Sequence, residues 1–182
     1  MALRAVVFDV DGTLVDSEQE GHRVSFNRAF EELELGYHWD RGTYRDLLAI
    51  PGGVPRLSHY LRAQGAPAAD ALAAQLHTLK TAHLDAMIAE GSLPLRPGVS
   101  ELLADLSSAG VRLAVATTGS RRWVAPLLAQ LAPGAFEVVV AGSDVGAIKP
   151  DPACYVEALG RLMLAPDEVV AVEDSPPGCA AA

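Results

Sequence analysis

Four short apolar segments, separated by longer amphipathic ones, dominate the hydropathy pattern of this chain. They span residues 3–10, 111–116, 136–141 and 168–172. These segments are too short and too rich in β-branched residues for helices, so they predict strands. Because their apolar positions do not alternate cleanly with polar ones, we expect both faces of each strand to be buried. This pattern is typical of a parallel sheet covered by helices.

The segments that lead into the last three strands have the spacing of amphipathic helices. One begins at Pro97-Gly98 and ends at Gly110, and the others cover residues 122–131 and 151–164. Alternation of strands and helices indicates βαβ units. The predicted fold class is therefore α/β, with a doubly wound, Rossmann-like parallel sheet.

The segment between the first two strands contains helical patterns only. Helices are predicted at 18–35, 43–50, 54–64 and 68–90, with breaks at glycine-containing turns. An all-helical insert after the first strand of a parallel sheet is typical of a lid, because ligands bind at the carboxyl ends of such strands. We therefore expect a catalytic core formed by residues 1–16 and 95–182, and an inserted all-helical cap domain formed by residues 17–94.

Length and composition limit the classes of partner. The chain has 182 residues, which predicts one domain or one domain with an insertion. Its formal net charge of −9 argues against nucleic acid and anionic membranes as partners, but it leaves small anions open. No apolar run approaches the ~18–20 residues of a membrane span, and a carboxylate at Asp9 comes too early for a secretory signal.

Cysteine and lysine are both scarce. Cys154 and Cys179 lack metal-site spacing, so we expect two reduced thiols in a cytoplasmic protein, with a disulfide as the alternative. Lys80 and Lys149 are the only lysines, against twelve arginines. This composition makes the environment of each lysine worth attention.

Polar residues suited to metal or phosphate follow each predicted strand. Because parallel strands share one carboxyl edge, these side chains are expected to converge there. They are Asp9 and Asp11 after the first strand, Thr117 and Thr118 after the second, Lys149 beyond the third, and Glu173 and Asp174 after the fourth.

Such a set of side chains favours phosphate chemistry. Crowded carboxylates repel one another unless a cation lies among them, and ligands that are all oxygen favour Mg²⁺ over Zn²⁺. A metal, an ammonium and a hydroxyl screen an anionic phosphoryl group, so that one carboxylate attacks it and a neighbour moves the proton. Taken singly, each segment is also compatible with a turn, a helix cap or a surface position.

Four motifs of the chain resemble those of the haloacid dehalogenase superfamily: FDVDGTLVDSE, VATTGS, IKPDP and VEDSPPG, in this order. A helical cap between the first two is similar to the branch that holds β-phosphoglucomutases, phosphoglycolate phosphatases and CbbY-type sugar bisphosphatases. Within it, GHRVSFNRAF, WDRGTYRDLLAIPGG and MIAEGSLPLRPGV look like the CbbY-type enzymes, which dephosphorylate xylulose 1,5-bisphosphate. The resemblance covers essentially the whole chain.

The resemblance implies a role for each core residue. Asp9 is expected to attack phosphorus and carry a phosphoaspartyl intermediate, while Asp11 protonates the leaving oxygen and then deprotonates water. The implied Mg²⁺ ligands are the Asp9 carboxylate, the Asp11 main-chain carbonyl and Asp174, with Glu173 as a ligand or beside one. The implied phosphate contacts are Thr117, the Thr118 main chain and Lys149.

The same resemblance implies substrate contacts in the cap, where a second phosphate needs cations. The candidates are Glu18, His22, Arg23, Arg45, Gly52, Gly53 and Arg56. Any one arginine among them is alternatively a surface residue, and Glu18 and His22 are alternatively a pair on one helix face. The chain departs from the CbbY pattern at Val54-Pro55, where a lysine usually follows the paired glycines. The family also continues beyond Ala182 into another strand.

The expected function is that of a Mg²⁺-dependent phosphatase for small phosphorylated sugars, most of all a sugar bisphosphate such as xylulose 1,5-bisphosphate. The alternatives are a β-phosphoglucomutase-like phosphotransferase, a phosphoglycolate-type phosphatase, and a non-enzymatic phosphate-binding module. The sequence makes no prediction of oligomeric state.

Overall fold

A computed structural model of the protein describes residues 3–50 and 52–182. The chain divides into two compact units, one formed by Met1–Ser17 with Gly91–Ala182 and the other by Glu18–Glu90. We refer to them as the core unit and the cap unit. Within the described residues, no helix has both the length and the apolar character needed to cross a membrane.

The core unit contains a parallel sheet. Its strands are β1 (Ala5–Phe8), β2 (Arg112–Ala116), β3 (Val138–Val140) and β4 (Val169–Val172), in the spatial order β3-β2-β1-β4. Every pairing in the sheet is parallel. This confirms the predicted α/β class. Each strand is shorter than its apolar segment at one end or at both.

Helices of the core unit lie between the strands and after the last one. They are α5 (Val99–Ser108), α6 (Arg121–Leu131), α7 (Ala153–Leu162) and α8 (Pro176–Ala181). The buried face of α7 packs against alanines and valines of β1, β2 and β3 in one apolar cluster. Cys154 on α7 is buried, and neither it nor the exposed Cys179 forms a disulfide, as the reduced-thiol interpretation predicted.

Helices of the cap unit are α1 (Arg23–Glu32), α2 (Arg41–Leu47), α3 (Gly53–Ala63) and α4 (Ala69–Ala89). Their core is aromatic, with Phe26, Phe30, Trp39 and Tyr44 fully or almost fully buried. The side chain of Asn27 fixes the loop between α1 and α2, because its amide donates to Trp39 O at 2.9 Å and its oxygen accepts from Trp39 N at 2.8 Å.

At the start of the cap unit, the structure differs from the prediction. Instead of a single α-helix over 18–35, the chain forms a π-helix at Ser17–His22 that leads into α1. A π-helix has a wider turn, with hydrogen bonds from residue i to i+5. The predicted single α-helix is therefore replaced by a wider first turn followed by α1.

Candidate active site

The first site loop follows β1 and turns at Gly12. Asp9 is 5% exposed at the end of the strand, and Gly12 has a φ of +83°. The turn is closed by a hydrogen bond from Gly12 N to Val15 O at 2.7 Å, and Arg96 donates to Gly12 O at 2.5 Å. A Cβ atom on Gly12 would lie 2.7 Å from Asp174 Cγ. Only glycine permits both this φ and this close approach to Asp174.

Three carboxylates from two strand ends meet beside this loop. Asp9, Glu173 and Asp174 each offer an oxygen, and these oxygens all lie within 4.8 Å of one another. A donor set made of oxygen alone suits a hard cation such as Mg²⁺. The close packing of Gly12 on Asp174 also limits the space on that side, so the residues present fit a small divalent ion.

Lys149 is held inside this group of carboxylates. Its ammonium donates to Asp9 Oδ1 at 2.6 Å, to Ala116 O at 2.9 Å and to Glu173 Oε1. The side chain is only 5% exposed. The three N–H groups of the ammonium therefore have protein acceptors, two of them anionic.

Burial and the Lys149 charge have opposite effects on the pKa values of the carboxylates. Burial raises the pKa of Asp9 to about 6, although Lys149 opposes the shift. Burial also raises the pKa of Asp174. At Glu173 burial is outweighed by hydrogen bonds from Lys149 and Tyr155, so the pKa is lowered. A divalent cation beside the three carboxylates would favour their charged forms.

Asp11 has a different environment from Asp9, two residues away. Its Oδ1 accepts a hydrogen bond from the hydroxyl of Ser17, which is completely buried. The Asp11 side chain does not belong to the group of three carboxylates in the described part of the chain.

The second strand end provides a hydroxyl. Thr117 is buried, its N–H donates to Val140 O at 3.0 Å, and its Oγ1 accepts from Gly119 N at 3.0 Å. Thr118 beside it is exposed. These bonds tie the loop after β2 to β3 and hold the Thr118 main chain at the carboxyl edge of the sheet.

Several of the predicted cap residues gather around a buried lysine. We call His22, Arg56, His77 and Lys80 the basic cluster. Lys80 Nζ lies 2.7 Å from His22 Nδ1 and 5.3 Å from the centre of the Phe26 ring. Burial lowers the pKa of His22 well below its usual value, and the charges of Lys80, Arg56 and His77 add to the shift.

Arg56 connects the basic cluster to an acid. Its guanidinium donates to Tyr44 OH at 3.2 Å and to Leu47 O at 3.1 Å, and the Tyr44 hydroxyl donates to Glu18 Oε2 at 2.6 Å. Gly53 permits the approach of His77, because a Cβ at this position would lie 2.7 Å from His77 Nε2. Glu18, His22, Gly53 and Arg56 are therefore brought together by this network.

The other predicted cap residues lie in different surroundings. Arg23 donates to the main-chain oxygens of Gln19 and Trp39, each at 3.2 Å. The Arg45 side chain is 74% exposed and lies 3.5 Å from Asp46. Gly52 precedes α3 with a φ of +88°. The structure thus separates the seven candidates into four that one network connects and three that lie in other surroundings.

Sequence reasoning missed Lys80, His77 and Tyr155. Lys80 occupies the buried face of α4, at helical spacing from Leu76 and Leu84. A charged residue at an otherwise apolar helical position was the available signal, because lysine is rarely buried without a polar partner. Tyr155 on α7 resembles an ordinary core residue in the hydrophobic pattern, so its hydroxyl contact with Glu173 gave no sequence signal.

Comparison with known proteins places this geometry in a family. A family model described as haloacid dehalogenase-like hydrolase matches residues 3–182. The CbbY protein of Cereibacter sphaeroides is 42% identical over 99% of this chain and 80% of its own length. A crystal structure of CbbY from Rhodobacter sphaeroides with phosphate has a TM-score of 0.80 and 42% identity, covering 98% of this chain and 81% of that one.

A second crystal structure, of a mutant of the same CbbY with xylulose-1,5-bisphosphate, has a TM-score of 0.80 and 41% identity over the same shares of the two chains. The match to the family model extends over all four motifs and the cap between them. The chain therefore belongs to the haloacid dehalogenase-like hydrolase family, as its four motifs predicted, and it is an enzyme of the phosphatase type that the resemblance implied.

Proposed function

We propose that this protein is a Mg²⁺-dependent phosphatase of small phosphorylated sugars, with a sugar bisphosphate as its substrate. The observation that carries the proposal is the position of Asp9. This buried carboxylate lies at the carboxyl end of β1, within the group of three acids and 2.6 Å from the Lys149 ammonium. A nucleophile beside a cation and a metal-binding acid cluster is suited to phosphoryl transfer.

In the proposed reaction, Asp9 and Asp11 have separate roles. An oxygen of Asp9 forms a bond to phosphorus while the bond from phosphorus to the sugar oxygen breaks, and Asp11 gives its proton to that oxygen. Asp11 then removes a proton from water as the water oxygen bonds to phosphorus and the bond to Asp9 breaks. The hydrogen bond that Ser17 donates to Asp11 Oδ1 orients this carboxylate and supports the assignment.

The residues around Asp9 would hold the metal and the phosphoryl group. Mg²⁺ would be bound by Asp9, Glu173, Asp174 and the Asp11 main-chain carbonyl, and when bound it supplies positive charge that screens the phosphoryl oxygens. Thr117, the Thr118 main chain and Lys149 would bind those oxygens. Because Lys149 already has three protein acceptors, binding requires it to redirect one N–H group.

The cap unit supports a second anionic group on the substrate. His22, Arg56, His77 and Lys80 form its basic cluster, and their N–H donors are suited to an anionic group. Lys80 supplies a cation in a chain that lacks the lysine expected near Val54. The CbbY structure with xylulose-1,5-bisphosphate supports the same substrate class.

We extend the proposal to all the cap candidates as contacts to the non-reacting part of the substrate. Four of these candidates have the better structural support as substrate contacts, because the network through Tyr44 and Lys80 connects them. They are Glu18, His22, Gly53 and Arg56. The remaining three are Arg23, Arg45 and Gly52. A cytoplasmic location, expected from the two free cysteines, remains part of this proposal.

The test is an assay of phosphate release from a generic aryl phosphate, with and without Mg²⁺, followed by a panel of sugar monophosphates and bisphosphates. We expect Mg²⁺-dependent release and the highest kcat/KM for a five-carbon bisphosphate. Asp9→Asn is the control for background hydrolysis. Equal kcat/KM for the matched monophosphate would refute the proposed specificity. Transfer of the phosphoryl group to another sugar hydroxyl without release of free phosphate would refute the proposed hydrolysis.

A further inference from the structure

Tyr155 contacts both members of the buried ion pair in the core unit. Its hydroxyl donates to Glu173 Oε1 at 2.7 Å, and the centre of its ring lies 5.0 Å from Lys149 Nζ. The residue is 6% exposed and projects from α7 among the buried residues Cys154, Ala158 and Leu162. A phenylalanine would satisfy the packing of this helix equally well, so the hydroxyl needs its own explanation.

The position of Lys149 gives that explanation. Its ammonium donates to Asp9, Ala116 and Glu173 in the protein as described. To bind a phosphoryl oxygen, Lys149 must weaken one of these bonds. If it moves away from Glu173, a buried carboxylate loses a charged donor, which is costly unless another donor remains.

Tyr155 is that remaining donor. Its hydroxyl and Lys149 share the same oxygen, Glu173 Oε1, while Ser175 Oγ donates to Oε2 at 3.3 Å. The tyrosine hydroxyl therefore keeps Oε1 hydrogen-bonded, whichever acceptor the ammonium uses. The ring face near Lys149 also stabilises the cation by a cation–π interaction.

We propose that Tyr155 is a positioning residue, which holds the Glu173 carboxylate so that Lys149 is free to donate to the phosphoryl group. The inference rests on the proposed function, because it assigns Lys149 to the phosphoryl oxygens. Tyr155 itself touches no reacting atom. Without its hydroxyl, Lys149 becomes the main donor to Glu173 Oε1 and is drawn away from phosphate.

The test compares Tyr155→Phe with the wild-type protein in two measurements. We expect kcat/KM on an aryl phosphate to fall about tenfold, and the Kd of inorganic phosphate, measured by calorimetry at saturating Mg²⁺, to rise about fivefold. Tyr37→Phe, which removes a tyrosine hydroxyl in the cap unit, is the matched control and should leave both quantities unchanged. Thermal melting verifies that each variant is folded.

A double-mutant cycle separates positioning from a general structural effect. If Tyr155 acts through Glu173, then Glu173→Gln combined with Tyr155→Phe binds phosphate no more weakly than Glu173→Gln alone. Additive losses in Kd would overturn the inference, and so would wild-type phosphate binding by Tyr155→Phe. Should Tyr155→Phe fold poorly, Tyr155→Leu is the second variant, and unchanged phosphate binding by it overturns the inference equally.

Failure of the proposed function gives a different result. In that case the wild-type protein shows no Mg²⁺-dependent hydrolysis of the aryl phosphate. The inference about Tyr155 is then tested by phosphate binding alone, because this measurement requires no turnover. The affinities compared are those of the wild-type protein, Tyr155→Phe and the double variant.

Discussion

The two lysines of this protein are both buried, but their surroundings differ in charge. Lys149 in the core unit donates to the carboxylates of Asp9 and Glu173. Lys80 in the cap unit lies 2.7 Å from the ring nitrogen of His22, and Arg56 and His77 belong to the same cluster. Lys149 therefore lies between two carboxylates, whereas Lys80 lies beside a histidine whose pKa is lowered.

This difference indicates that the two lysines have different functions. In the core, balanced charges hold a nucleophile and an ammonium in a defined geometry before any ligand binds, which is the arrangement expected for a reacting centre. In the cap, an ammonium, a guanidinium and two imidazoles are collected in one cluster, an arrangement that is suited to binding an anion. The proposed function gives chemistry to the core unit and recognition to the cap unit, and each of the following variants tests one of these two assignments.

The largest effect is expected for Asp9→Asn. The amide cannot attack phosphorus, so we expect turnover to fall by about a thousandfold or more, with the protein still folded. Phosphate release from an aryl phosphate is the measurement, and Asp105→Asn, an exposed position on α5, is the control for loss of one negative charge. Residual activity of more than a few per cent would contradict the covalent mechanism.

On the cap side, Lys80→Met removes the buried charge and retains most of the side-chain volume. We expect KM for a sugar bisphosphate to rise by roughly 10- to 100-fold, the cost of a charge-assisted bond, while KM for the monophosphate changes little. Thermal melting verifies that the variant is folded.

Arg62→Met is the matched control for Lys80→Met, since it removes one cation from the same unit at a surface ion pair with Asp70. It should leave both KM values near those of the wild-type protein. An equal increase of KM for monophosphate and bisphosphate in Lys80→Met would show that Lys80 supports folding of the cap rather than recognition of a second phosphate.

The His22 environment predicts a pH dependence of cap stability. Burial, Lys80, Arg56 and His77 lower its pKa in the folded protein, so below about pH 6.5 the unfolded chain binds more protons than the folded one. The stabilisation is present above that pH and is lost as the pH falls, by at most ~1.4 kcal/mol per pH unit. Melting temperatures between pH 8 and 5.5 should therefore decrease less for His22→Gln than for the wild-type protein.

His59→Gln is the control for the pH experiment, because this histidine is exposed on α3. Its melting temperature should follow that of the wild-type protein at every pH. If His22→Gln and the wild-type protein respond identically to acidification, the basic cluster does not exclude a proton from His22, and the contrast between the two lysines loses its physical basis.

The sequence predicted the core site better than the cap site for a physical reason. Asp9, Thr117, Lys149 and Asp174 follow strands, and the carboxyl ends of parallel strands meet at one edge whatever the details of packing. The strand pattern alone therefore brings these residues near one another. Their family motifs strengthened the same expectation, and the observed sheet order agrees with it.

The cap network depends instead on how separate helices pack. Lys80 contacts His22, which lies 58 residues away in the sequence. Tyr44 on α2 connects Glu18 to Arg56 on α3. Helical periodicity places Lys80 on a buried face but does not say which helix faces it. The π-helix at Ser17–His22 is a further feature that the hydrophobic pattern did not predict.

The smallest predicted effect concerns an ion pair of the core unit outside the group of three acids. Hydrogen bonds from Arg121 lower the pKa of Asp144 to about 2, so its charged form stabilises the folded protein above about pH 4, and this stabilisation is lost as the pH falls towards 2. Arg121 is 45% exposed, and solvent screening therefore reduces the contribution. We expect Asp144→Asn to lower the free energy of unfolding by about 1 kcal/mol at pH 7, and the difference from the wild-type protein to disappear between pH 4 and 2. Denaturant unfolding at a series of pH values measures it, with Asp167→Asn, an exposed acid, as the control. If the free energy of unfolding of Asp144→Asn remains below that of the wild-type protein at pH 2, the Asp144 side chain acts through packing or neutral hydrogen bonds. The Arg121–Asp144 ion pair then cannot serve as a comparison for the ion pairs of Lys149.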